Sequence, residues 1–191
     1  MYFPNSSAMD AAAGGRGPGA TVLPWIAGTE PGQVLRYVTE LAGHIGRLAG
    51  VVNGVGDSGD ALRRAWPGGS ASDGALGKLG ETIAVFQRIV KAVETFQAEL
   101  AGVATALTLI QQAYRSVVGS VNPVVASLLA HPHTHAAARS LAVSATSGLA
   151  SFAGSTKATL DTIATVRVAA IVTLLATIAK ELGSLLPGTA R

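Results

Sequence analysis

The chain has 191 residues with 14 basic and 11 acidic side chains, no cysteine, 13% charged and 5% aromatic residues, and 23 glycines. Without cysteine there is no disulfide framework and no thiol chemistry, and the charged fraction is far below the roughly 25% of an ordinary globular domain. After residue 115 the cations are Arg139, Lys157, Arg167, Lys180 and Arg191, spread too thinly for the concentrated footprint of a nucleic-acid binder.

Residues 1–29 are rich in Gly, Ser and Pro and lack the basic and apolar regions of an ordinary signal peptide, so they are predicted to form a flexible arm. Behind Pro31, Val34, Val38, Leu41, Ile45, Leu48, Val52, Val55 and Leu62 recur at spacings of three and four, one stripe of an amphipathic helix. Glycines 43, 46, 50 and 54 interleave with it, and Asn53 to Asp60 is the expected place for a kink or break.

The next signal is a stop. Trp66 precedes Pro67, which disfavours the α region for the residue before it, and Gly68 and Gly69 permit positive φ. Ser70, Ser72 or Asp73 is then placed to cap a following helix. A break this short between two helices predicts an antiparallel hairpin with its turn at 66–73 and the indole lying across its end, over Leu62 and Leu76.

The second helix reads from Ile83 through Phe86, Val90, Val93, Phe96, Leu100, Val103, Leu107, Ile110, Tyr114 and Val117 to Val121. A pattern of that length points to an elongated or coiled-coil-like bundle. Asn122-Pro123 is expected to perturb it, which places the hairpin at residues 30–122. Residues 123–191 are predicted to be a C-terminal helical region completing the bundle. Its looser run is Leu141, Leu149, Phe152, Leu160, Ile163, Val166, Ala170, Leu174, Ile178, Leu182 and Leu185, divided near Gly148 and Gly154. No alternating strand pattern appears, so the expected class is all-α. The apolar stretch from Val168 to Ala179 is twelve residues long, about 18 Å of helix against a bilayer core of roughly 30 Å.

No catalytic, cofactor or metal site is predicted. His131, His133 and His135 are of a ligand type but flank Pro132 between helices, where a solvated loop is the expected setting. Asp57 and Asp60 with Arg63 and Arg64 make surface pairs at helical spacing. There is no nucleophile–base pair, Gly-rich phosphate loop or zinc-helix motif.

Trp66-Pro67-Gly68 between two amphipathic helices, in an Ala/Gly-rich chain without cysteine or signal peptide, resembles the turn motif of the WXG100 superfamily and related type VII (ESX) secretion substrates. The resemblance covers residues 30–122 and rests on Trp66 and Gly68, with Pro67 in the variable position. It implies a non-enzymatic protein acting through helical faces, with a protein partner, a secretion chaperone or a second copy. That protein is either a secreted substrate or the targeting module of an effector, cytoplasmic before a signal-peptide-independent export to the medium or cell surface. The family's export signal, a Tyr followed four residues later by an acid, is not matched at Tyr2, Tyr37 or Tyr114, which are followed by Ser6, Leu41 and Val118. The alternative is a membrane-active or pore-forming helical protein, because Arg115 and Arg139 are the only charges between residues 100 and 156.

Overall fold

The computed structural model describes residues 2–185. Among these the chain is all-helical: α1 (Ser7–Ala12), α2 (Pro18–Thr21), α3 (Leu23–Ala27), α4 (Pro31–Ala65), α5 (Ser70–Leu129), a 3-10 turn at Pro132–Thr134, and α6 (His135–Leu185). It divides into two compact units. The first holds residues 2–34 and 102–162, and the second residues 35–101 and 163–185.

The first unit departs from the flexible arm expected for residues 1–29. Met9, Val22 and Ile26, carried by three short helices and their junctions, are fully buried in one cluster with Ile110, Tyr114, Val118 and Val125 of α5 and with Ala138, Ala142 and Leu149 of α6. Helices of four to six residues are too short to show a period, so isolated apolar residues among glycines and prolines resemble a linker. Polar contacts shape the turn between α1 and α2. The Asp10 carboxylate accepts the Ser6 hydroxyl at 2.7 Å and the Gly19 amide at 3.0 Å. Position 17 must be glycine here, since a Cβ would stand 2.6 Å from the Asp10 Cα. Further bonds fasten the segment to α5: the Met9 amide donates to Asn122 Oδ1, and Gln111 Nε2 donates to the Ile26 and Thr29 carbonyls.

Helix α5 runs through Pro123, where the sequence predicts a perturbation. An interior proline removes one backbone bond and costs about 3 kcal/mol. Pro123 faces solvent while Val118 and Val125, on either side of it, are fully buried, so packing holds the helix across the gap. The buried side of α5 in this unit is Ala104, Leu107, Ile110, Gln111, Tyr114, Val118 and Val125, one face of a helix. On α6 it is Ala138, Ala142, Thr146, Leu149, Ala153 and Thr156, with no division at Gly148 or Gly154. Thr146 and Thr156 fit an apolar stripe because each hydroxyl donates to the carbonyl four residues back, Ala142 and Phe152. The expected position Phe152 is instead 41% exposed.

In the second unit α4 and α5 run antiparallel. Ser72 meets Trp66, Leu79 meets Gly59, and Gln97 meets Val38, so each step back along α4 is matched by a step forward along α5. Of the predicted stripe, Val34 to Val55 are the least exposed large side chains of α4, with Ile45 and Val52 buried, whereas its last member, Leu62, is exposed. The expected kink at 53–60 is absent and α4 is continuous. Gly59 explains why: it is buried, and a Cβ there would lie 2.7 Å from Leu79 Cδ2, so this glycine is a point of close helix approach. On α5 the facing surface is a broad half-buried band in which Val85 goes deepest. The described side chains of α6 in this unit include Val166, Val168 and Val172, all more than half exposed. Side chains at Leu174, Ile178, Leu182 and Leu185 of the expected stripe, and residues 186–191 of the expected C-terminal region, lie outside what is described.

Candidate interaction sites

The turn in the second unit is built by its local chemistry. Helix α4 closes with the Trp66 amide donating to the Leu62 carbonyl at 2.8 Å, and Pro67 cannot extend it. Gly68 (φ 91°) and Gly69 (φ 114°) reverse the chain in the region that favours glycine. Helix α5 then begins as the Asp73 amide donates to the Gly69 carbonyl. Ser72 does not cap its own helix from outside, as the sequence suggests. It lies in the first turn, almost completely buried, and donates 2.9 Å back to the Trp66 carbonyl, closing the turn on itself. Arg63 and Arg64 in the last turn of α4 and Asp73 in the first of α5 each suit the helix dipole beside them.

Trp66 does not seal the hairpin end. Trp66 is 47% exposed and Leu62 is 37% exposed. The turn therefore presents Trp66, Pro67 and Leu62 to solvent together. Behind it a groove of about 410 Å³ opens between α4 and α5, lined by Val52, Gly56, Arg63, Leu76, Leu79 and Ile83. Gly56, Gly59 and Gly80 add no side chain to fill this groove.

Two ion pairs lie on the surface of the second unit. Asp60 lies 4.0 Å from Arg63, and Arg64 donates to the Asp60 carbonyl; Lys78 and Glu81 are 3.0 Å apart. All four ion-pair side chains are exposed, so each pair contributes at most about 1 kcal/mol. His131 and His133 stand with ring centroids 5.8 Å apart on the 3-10 turn, while His135 opens α6 with Nε2 at 3.0 Å from the Leu129 carbonyl. No group of histidines and acids with metal-holding geometry occurs among the described residues. No helix of the described residues is long and apolar enough to cross a membrane.

A polar turn inside the first unit has no counterpart in the sequence reading, which takes Tyr114 as one more stripe position. Gln111, Tyr114 and Arg115 follow one another at i, i+3 and i+4 on α5. Phe3 covers the last two: its ring meets Tyr114 edge-on with centroids 5.7 Å apart, and the Arg115 Cζ lies 5.5 Å from its centroid. The Tyr114 hydroxyl, Gln111 Oε1, and Arg115 Nε and Nη2 are all shut away from solvent without a hydrogen-bond partner in the protein. Burial raises the Tyr114 pKa from 10.0, the neighbouring Ser6 hydroxyl partly offsets this, and the Asp10 charge adds to the rise. Ser6 gives its proton to Asp10 and so stands beside the Tyr114 hydroxyl as an acceptor.

No protein-family model, curated protein or solved structure matches the chain.

Proposed function

We propose that the chain is a non-enzymatic, type VII (ESX) secretion-associated helical protein that works through protein–protein contacts, as a substrate or as the targeting module of an effector. The single observation that carries this reading is the antiparallel α4–α5 turn at Trp66-Pro67-Gly68, whose indole is left half-exposed beside Leu62. A large aromatic that does not complete its own hairpin is suited to anchor a partner, since buried aromatic anchors dominate interface energies. The extended hairpin, joined by C-terminal helices into a bundle, belongs to the same proposal. So do a helical partner, a secretion chaperone or second copy, and export without a signal peptide. No tyrosine of residues 1–191 is followed at four residues by an acid, so in this reading a partner or a further segment carries the export signal.

The test is secretion from cells with intact or inactivated type VII machinery. The chain is expected in the medium only when the machinery is intact, and Trp66→Ala is expected to keep it in the cell while circular dichroism stays helical. Release that ignores the machinery would refute the proposal. Vesicle flotation separates it from the membrane-active alternative: the proposal expects the protein to stay at the bottom of the gradient.

A further inference from the structure

We infer that the turn Gln111–Tyr114–Arg115 of α5 is a seat for a carboxylate, with Phe3 as its cover. The inference is independent of the Trp66 turn. It starts from a cost. A buried donor or acceptor left without a partner destabilises a fold by roughly 1–3 kcal/mol, and more when charged. Here four such atoms sit within one helical turn. Tyr114 and Gln111 are almost wholly buried, and Arg115 is half-buried, stacked under the Phe3 ring.

The unsatisfied atoms are complementary to one kind of group. Nε and Nη2 form the edge of a guanidinium that takes a carboxylate through two parallel bonds. The Tyr114 hydroxyl, kept protonated by burial, is a third donor, on a ring that meets the same Phe3 as the guanidinium. The nearby internal carboxylate is already in use, since Asp10 accepts from Ser6 and Gly19, and no ion pair to Arg115 occurs among the described residues. Gln111 sharpens the ligand further. Its amide nitrogen is spent on Ile26 and Thr29, so Oε1 can only accept. A carboxylate that brings its own N–H, as an acidic peptide does, would answer every unpaired atom. Access requires only that Phe3 move, because it is a half-buried ring carried by the segment ahead of α1.

The experiment is an NMR titration of the full chain, following the Arg115 Nε–H and Tyr114 ring signals, with sodium acetate, with a blocked aspartyl dipeptide, and with sodium chloride at equal ionic strength. Acetate and dipeptide are expected to shift both signals saturably, while chloride does not. Phe3→Ala should tighten acetate by about tenfold, because the seat no longer waits for its cover to open. Phe3→Leu, which keeps apolar cover over the core, should tighten it less. Arg115→Lys should abolish the saturable shift of Tyr114, since an ammonium lacks the fork. Tighter binding of the dipeptide than of acetate assigns the seat to acidic peptides, and equal binding assigns it to free carboxylates. Signals unmoved by either ligand in the unmodified and Phe3→Ala chains, with Arg115 Nε–H contacting only slowly exchanging water, would overturn the inference.

Discussion

One helix supplies both units with their packing face, and the two results differ. In the first unit Ile110, Tyr114, Val118 and Val125 of α5 lose all solvent contact. In the second, the deepest apolar side chains, Val52, Ile45 and Val85, keep 6–9% of their exposure. The first unit closes the α5 face from two sides, with α1–α3 and with α6. In the second, α4 meets α5 along a groove whose lining includes Gly56, Gly59 and Gly80, with a close approach at Gly59. Among the described side chains, burial is deepest where α1–α3 and α6 both cover α5. Short, weakly periodic helices around Met9, Val22 and Ile26 do more for the core than a long, strongly periodic one.

Paired substitutions test that difference. Ile110→Ala should destabilise the protein by about 2–5 kcal/mol in urea unfolding, because a fully closed site leaves a cavity. Ile45→Ala is the same chemical change at a site that keeps 9% of its exposure, and should cost less, near the lower end of that range at about 2 kcal/mol. Equal losses would break the comparison. A smaller effect separates two of the close glycines, Gly17 and Gly59. Gly17→Ala drives a Cβ into the Asp10 backbone and should cost about 1–3 kcal/mol. Gly59→Ala meets only the end of the Leu79 side chain and gains roughly 1 kcal/mol of helix propensity, so its melting temperature should scarcely move.

The smallest effect is seen only in alkali. Tyr114 has its folded pKa raised above 10.0, so the unfolded chain ionises first. Its contribution is complete below pH 10 and is lost as pH rises through the folded pKa, and Tyr114→Phe should flatten that fall in stability.

How much could be read beforehand depends on which residues carry the packing. The α4 stripe is written in Val, Leu and Ile, and its buried face follows directly from their spacing. The α6 face is written in alanine, with threonines whose hydroxyls are answered by their own helix, and a search for large apolar residues selects exposed Phe152 instead. Trp66-Pro67-Gly68-Gly69 marks the reversal because proline and glycine act locally, but the exposure of the indole depends on where the chain goes next. The polar turn at 111–115 is harder still. Tyr114 keeps the apolar rhythm, and its isolation shows only once Phe3, more than a hundred residues earlier, is seen to cover it.

The reversal at Gly68 and Gly69 carries a last consequence, one of handedness. Both residues occupy the half of backbone space that mirrors the one natural side chains prefer, and a Cβ at either would meet nothing within 4 Å. The obstacle to substitution there is therefore chirality and not volume. A semisynthetic chain with D-alanine at position 68 should turn as the glycine does and lose less entropy on folding, whereas the L enantiomer, identical in every property except its hand, should strain the turn.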